Sequence, residues 1–401
     1  MKKIAYLQNS IQNYAWGSRT FIPELTGNSN PDEKPHAELW MGTHPKAPSN
    51  ILCNDNAIPL PEAIQKDPDG ILGHSVSKKF NKSLPFLFKI LAAADPLSVQ
   101  AHPDKARAER GFAKENTEGI PIDAPDRNYR DSNHKPELIC ALEPMWILKG
   151  FRTPEDIVNL FNMAGLTSDN FGLEKFNDHG AEKFLKDLFQ SLMILDREQQ
   201  VLTINILIEH VKKTENAEPE FKWVSKLNQY YPGDISVLSL LFLNLIRLQP
   251  GQAIYIPAGE LHAYLEGSGL EIMANSDNVL RGGLTPKHID LTELLRILNF
   301  SPGVPEINIP LKISEFEAAY PAKAEEFILS VISLDNNDTY CSQLNRNVEI
   351  MICTGGSARI REIDSEDELK LNKGSSIIVP ASVEQYQIEG EATIYKASVP
   401  N

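Results

Sequence analysis

Three short segments carry the residue types best able to do chemistry. Gln100-Ala-His102 is the first, Asn133-His-Lys-Pro-Glu137 the second, and Pro257-Ala-Gly-Glu-Leu-His262 the third. Gln100, His102, Glu137 and His262 together offer two imidazoles, one carboxylate and one amide oxygen. That donor set suits Zn²⁺ and leaves room for a water or a substrate oxygen. Gln100 and His102 are two apart, so on a strand both side chains leave one face and can converge on one ion. Pro136 biases Lys135 toward an extended backbone just ahead of Glu137. His262 ends a Pro-Ala-Gly bend. A single carboxylate leaves a divalent ion electrophilic enough to polarise a hydroxyl or a carbonyl. The bland alternative is ordinary: a lone histidine on a strand is usually a surface or core residue.

The stretch 265–287 is dense in glycine and charge. Arg281 precedes Gly282-Gly283, and its planar fork, charged at every working pH, can clamp a developing oxyanion. A surface arginine beside a Gly-rich turn is the plain reading. A proton-transfer step needs a positioned acid or base. Glu271 and Asp277 lie in this stretch, and Lys135 shares a face with Glu137 if that segment is extended. His102 is a further candidate if its metal bond is weak. Each of these groups can instead orient ligands or water. Ser98 shares a face with Gln100 and His102 and is a candidate anion contact. Lys89 interrupts Phe86-Leu-Phe-Lys-Ile-Leu91, where an unpaired charge is costly. A bound anion explains it, and so does a buried partner such as Asp95 or Glu38. Tyr264 and Trp16 are candidate pocket walls, although an aromatic is more often core. His134 reads as structural.

These residues need a scaffold, and 401 residues call for two or three domains. The composition is that of a soluble globular chain with ample core. A net charge of −15 argues against a nucleic-acid or membrane-surface binder, but leaves an anionic small substrate open, because local charge decides that. The apolar stretch after Lys2-Lys3 is too short for a signal peptide, and the apolar run over 235–248 is broken by polar residues, so no transmembrane helix is expected. Cys53, Cys140, Cys341 and Cys353 show no CxxC spacing and read as buried, reduced thiols of a cytoplasmic protein. Alternation over 82–99 predicts strand. Residues 62–66 predict a short helix. Thr153-Pro-Glu-Asp156 is a helix start, with Thr as N-cap and Pro at the first helical position. Helical periodicity follows over 181–192 and 198–213, and strand patterning returns from Asp234. Gly355-Gly356 predicts a hairpin turn between 347–353 and 357–361, and 115–130 reads as a mobile segment or lid. A repeat is visible as well. Gly251 and Gly374, Pro257 and Pro380, and His262 and Gln385 each lie 123 apart. Each copy reads as strand, Gly turn, apolar strand, Pro-Ala bend and strand, which suits a double-sheet jelly roll of the cupin kind. The second copy has Gln385 where the first has His262, and no histidine follows His288, so the C-terminal barrel is expected to be metal-free.

Over nearly its whole length the chain resembles the type I mannose-6-phosphate isomerases. The resemblance rests on Gln100-Ala-His102, Lys135-Pro-Glu137, His262-Ala-Tyr264 and the Arg281-Gly-Gly stretch, with Gln12-Asn-Tyr-Ala-Trp-Gly17 and Glu38-Leu-Trp-Met-Gly-Thr-His44 in support. It implies a mainly β fold with a helical insert: two cupin-type jelly-roll barrels plus an α-helical domain. The expected division is 1–150 and 234–304 for the catalytic cupin, 151–233 for the helical insert, and 305–401 for the C-terminal cupin. It implies one Zn²⁺ held by Gln100, His102, Glu137 and His262, and a catalytic role for Arg281. Asp277 and Glu271 match acids of the family, and which group is the base stays open. The implied reaction interconverts mannose 6-phosphate and fructose 6-phosphate through a cis-enediol, within carbohydrate metabolism and GDP-mannose supply. A sugar phosphate is the expected partner, with no nucleic acid and no membrane. A monomer is expected. A different metal-dependent cupin, such as an Fe²⁺ dioxygenase or another sugar-phosphate isomerase, is the enzymatic alternative. A sugar-binding cupin without turnover is the non-enzymatic one.

Overall fold

A computed structural model describes residues 3–53, 56–166, 171, 173, 180–213, 218–336, 338–363 and 365–401. Among them the chain is mainly β, with short helices in the N-terminal part and a group of longer ones over 154–230. Two antiparallel sheet systems carry the fold, one of 11 strands and one of 10.

The 10-stranded system holds the three candidate segments. Its central strand, Phe86–Ala93, is buried along its whole length. Both faces are covered, each by a different core. Phe86, Phe88, Ile90 and Ala92 face the second barrel, against Ile350, Ile378 and Ala397. Leu91 and Ala93 turn inward, toward Ile139 and Tyr264. The strand alternation read over 82–99 is therefore a two-sided burial. It points the odd-numbered Lys89 into the catalytic barrel.

The 11-stranded system is the C-terminal barrel, and its sheet takes in the N-terminus. Ala5 pairs with Ile378, and Tyr6 pairs with Leu52. Hydrogen bonding thus crosses a division drawn along the sequence at 150 and 305. The internal repeat has a structural counterpart. Strands Ala253–Ile256 and His262–Ala274 recur as Ser376–Val379 and Tyr386–Ser398, in the same order around the same bend.

Helix Pro154–Met163 starts where the cap motif placed it, with Thr153 accepting from the Asp156 N–H. Helices Ala181–Met193 and Arg197–Lys213 follow. The return to strand is later than the sequence suggested. Residues Ile235–Leu238 and Ser239–Phe242 form helical turns, and strand begins at Leu243. Asp234 accepts from the Ser236 N–H and caps that turn, a local signal that outweighs the apolar run.

Two other expectations need correction. Gly355-Gly356 is not a hairpin. Strand Glu349–Glu362 runs straight through it, with a register shift between Cys353 and Gly355. A Cβ on Gly356 would lie 2.1 Å from the Glu391 carbonyl, so the pair marks a bulge against a close backbone and not a reversal. The segment 115–130 is firmly tied. Helix Lys105–Thr117 enters it, Glu115 accepts from the backbone N–H groups of Asn128 and Tyr129, and Arg127 donates to Tyr129 O and Asn116 Oδ1. Cys140 and Cys353 are buried free thiols, whereas Cys341 is exposed. Among the described residues no helix is long and apolar enough to cross a membrane.

Candidate metal centre

Strand Val99–Ala101 lies between two others. Gln100 pairs with His262 on one side and Arg281 on the other. Cross-strand neighbours share a face about 5 Å apart, so the sheet itself brings these three side chains into one row. Glu137 opens strand Glu137–Ala141 and pairs with Ile256 and Met273. His262 is delivered by the bend before it. The Gly259 N–H donates to His102 O at 2.8 Å, which ties the bend to the other imidazole. Gly259 has φ +81°, and a Cβ there would meet Ile297 O at 2.7 Å, so the turn requires glycine.

His102, Glu137 and His262 converge in the interior, all essentially without solvent contact. Their ligand atoms lie within 4.8 Å of one another. Each imidazole Nε2 is 3.3 Å from a different Glu137 oxygen. Both Nδ1 atoms are occupied by carbonyls: His102 with Asn278 O at 2.7 Å, His262 with Glu260 O at 3.0 Å. The Nδ1 protons sit there, and the Nε2 lone pairs face the cluster. His102 Nε2 and both Glu137 oxygens are buried with no hydrogen-bond partner among the described residues. Lys135 Nζ is 2.9 Å from Glu137 Oε1, an ion-pair distance without hydrogen-bond alignment. Orphaned buried acceptors on two ligand types are what a cation would satisfy. Burial pushes the His102 pKa down to about 4, so the ring is neutral and free to ligate near neutral pH. Burial alone would raise Glu137, but Lys135 and the two imidazoles outweigh it and hold the carboxyl well below its usual range. Gln100 Nε2 lies 3.4 Å from His262 Nε2, and a half-turn of the amide presents its oxygen to the same point. The fit to a zinc ion is good.

The cluster opens on a cavity of about 380 Å³. Lys135, Glu271, Lys89, Ser98, Tyr264, Trp16 and Arg281 all line it. Lys89 resolves in favour of a protein partner. Its Nζ is 2.9 Å from Glu271 Oε2 and 3.8 Å from Glu38 Oε2, while Asp95 accepts from Tyr230 instead. Burial works against the ammonium, and the two carboxylates overcome it, raising Lys89 above its ordinary value. The other Glu271 oxygen accepts from Tyr264 OH at 3.0 Å. Asp277 stands apart. It does not line this cavity but a larger groove of about 1080 Å³ that contains none of the four candidate ligands. Burial would raise its carboxyl, but His44 at 3.2 Å and Lys46 at 2.8 Å hold it far below the usual range. That makes it a poor base. His134 donates to Glu326 at 2.6 Å and is not part of the cluster.

Sequence reasoning missed two cations. Burial and the Arg130 charge lower the Arg281 pKa, and partial burial with Arg281 and Arg130 lowers that of Lys287. Arg281 and Lys287 line the cavity and Arg130 lines the larger groove; the three cations repel one another, and none has an acidic partner among the described residues. Lys287 lies in the Arg281 stretch and was legible from its place after Thr285-Pro286. Arg130 lies far away in sequence, and no spacing marks it.

The comparisons with known proteins agree with this geometry. Residues 4–154 match the phosphomannose isomerase type I catalytic domain, 165–243 its helical insertion domain, and 317–399 the mannose-6-phosphate isomerase cupin domain. The mannose-6-phosphate isomerase of Salmonella typhimurium is 42% identical over 94% of both chains. The chain belongs to the type I phosphomannose isomerase family. The Escherichia coli mannose-6-phosphate isomerase is 39% identical over 97% of both chains, and the human one 38% over 74% of this chain and 73% of its own. A crystal structure of the Salmonella typhimurium isomerase bound to fructose 6-phosphate and zinc superposes with a TM-score of 0.92 at 38% identity, covering 100% of both chains. A zinc-bound holo structure of mannose 6-phosphate isomerase superposes equally well, at the same identity and coverage. Family members thus bind zinc and a sugar phosphate on this fold.

Proposed function

We propose that this protein is a zinc-dependent aldose–ketose isomerase that interconverts mannose 6-phosphate and fructose 6-phosphate. One observation carries the reading: a buried His102–Glu137–His262 cluster with orphaned acceptor atoms opens on a cavity lined by Arg281 and Lys287, which have no acidic partner among the described residues. Gln100, His102, Glu137 and His262 would hold the zinc, which supplies a Lewis acid for a sugar hydroxyl or carbonyl. Arg281 and Lys287, with the nearby Arg130 charge, receive the phosphate dianion, and Ser98 adds a hydroxyl.

The net reaction moves one hydrogen from C2 to C1 and one hydroxyl proton from O2 to O1, through a cis-enediol. Of the groups that line the cavity, Lys135 is the one placed to carry a proton. Glu271 has both oxygens occupied by Lys89 and Tyr264, so it holds its neighbours in place. Trp16 and Tyr14, with ring centroids 5.7 Å apart, form one wall. The C-terminal barrel serves packing. Its Gln385, at the position equivalent to His262, donates to Ser342 O. The catalytic cupin over 1–150 and 234–304, the helical insert over 151–233 and the C-terminal cupin over 305–401 remain the working division. The buried free thiols of Cys140 and Cys353 suit a cytoplasmic setting.

The test is turnover of mannose 6-phosphate by the wild type, His102→Ala and Lys135→Met at matched folded fraction. Activity in the wild type alone supports the reading. Undiminished turnover in either variant removes that residue's role, and tight sugar-phosphate binding with no turnover favours a binding protein.

A further inference from the structure

Asn278, ahead of the strand that carries Arg281, is fully buried. Its carboxamide is wholly used. Oδ1 accepts from the backbone N–H of Arg130 at 2.7 Å and of Asp131 at 3.2 Å. Nδ2 donates to the carbonyls of Asp131 and Asn133, both at 2.8 Å, and lies 3.3 Å from Asp131 Oδ1. The backbone carbonyl of the same residue takes the His102 Nδ1 proton. The segment 130–133 has no regular secondary structure of its own. Its partly buried backbone groups need partners from elsewhere, and Asn278 supplies four of those bonds. An apolar side chain of the same volume would fill the space and supply none. The segment leads directly to Lys135 and Glu137.

We infer that Asn278 is a positioning residue that couples the metal cluster to the anion site. Its carbonyl fixes the tautomer of His102, and its carboxamide sets the backbone from which Arg130, Lys135 and Glu137 project. It touches neither ion nor substrate. The inference rests on the zinc-isomerase reading above. Lost support of a metal ligand weakens metal affinity or activity by about 10–100-fold. Here metal retention and substrate capture fall together, because the side chain holds 130–133, which carries Arg130 and leads to Glu137, while the backbone carbonyl that holds His102 is kept in every variant.

The experiment compares Asn278→Ala and Asn278→Asp with Asn275→Ala. Asn275 donates Nδ2 to Leu84 O at 2.7 Å, so the control loses an amide–carbonyl bond on the same segment without freeing 130–133. Zinc affinity is measured by chelator competition, alongside melting temperature, KM and kcat. Asn278→Ala is expected to bind zinc about 10–100-fold more weakly and to show a raised KM, while the control loses only melting temperature. Asn278→Asp keeps the volume but sets an oxygen against two carbonyls. It shows the same pattern and stands in if the alanine variant does not fold. Zinc affinity and KM within twofold of wild type in the folded Asn278 variants overturn the inference. So does an equal loss of zinc in Asn275→Ala. A wild type that binds no zinc overturns the underlying reading and takes this inference with it.

Discussion

Replacing Lys89 by methionine should destabilise the protein strongly, and a second substitution should partly reverse the loss. Lys89 lies between Glu271 and Glu38, and all three are buried. Methionine keeps most of the volume, so packing changes little. What is lost is the cation. Removing one partner of a buried ion pair costs about 3–5 kcal/mol, because the charge left behind has no compensation. Here two carboxylates are left. Burial already raises Glu38 above its ordinary value, with Lys89 as the main offset and the Glu271 charge adding to the rise. Without Lys89 the folded pKa of Glu38 climbs further. A carboxyl raised in the folded state contributes stability that is full below the unfolded value of about 4.5 and lost as pH rises through the folded value. The deficit of Lys89→Met is therefore small near pH 5 and grows toward pH 8. Adding Glu271→Gln removes one carboxylate and keeps an acceptor for Tyr264, so the double variant should recover about 1–3 kcal/mol. Urea unfolding at several pH values, followed by fluorescence and circular dichroism, measures both effects. A single variant within about 1 kcal/mol of wild type at pH 8, or a deficit that shrinks as pH rises, would mean that Lys89 does not offset the two carboxylates.

Three further outcomes are expected. Lys287→Ala should raise KM for mannose 6-phosphate by about 10–100-fold, the equivalent of a charge-assisted hydrogen bond, while zinc content stays unchanged; steady-state kinetics and metal analysis check both. Gly259→Ala should cost about 1–3 kcal/mol of backbone strain and weaken zinc retention, since the added Cβ displaces the bend that carries His262; thermal unfolding and chelator competition report the two losses. In the C-terminal barrel, burial would raise Glu317, but Lys396 at 2.7 Å, Ser330 and Tyr340 hold it below its ordinary value. A depressed carboxyl contributes stability present above the unfolded value of about 4.5 and lost as pH falls through the folded one. Wild type should therefore lose melting temperature below pH 4.5 more steeply than Glu317→Gln does.

What could be read in the sequence was what local spacing encodes. Gln100 and His102 two apart, the Pro257-Ala-Gly bend and the Thr153 cap each describe a few consecutive residues, and each has its counterpart in the structure. The 123-residue repeat was legible because two barrels repeat one turn chemistry. What escaped depends on contacts between distant segments. Arg130 reaches the Arg281 site through a hydrogen bond from its backbone to Asn278, and no periodicity records that. Asp277 looked like an acid of the site because it shares a stretch with Arg281, yet His44 and Lys46, more than 200 residues earlier in the chain, claim it. Gly355-Gly356 has the composition of a turn, and only the close approach of Glu391 makes it a bulge. The N-terminal strand pairs with Ser376–Val379, a partner hundreds of residues away.

The proposed isomerisation of mannose 6-phosphate requires zinc held by Gln100, His102, Glu137 and His262. The direct measurement is conversion to fructose 6-phosphate before chelation, after it, and after zinc is restored. Turnover that disappears on chelation and returns with zinc is the predicted result. Full activity in the metal-stripped protein, or none in folded, zinc-loaded protein, would contradict it.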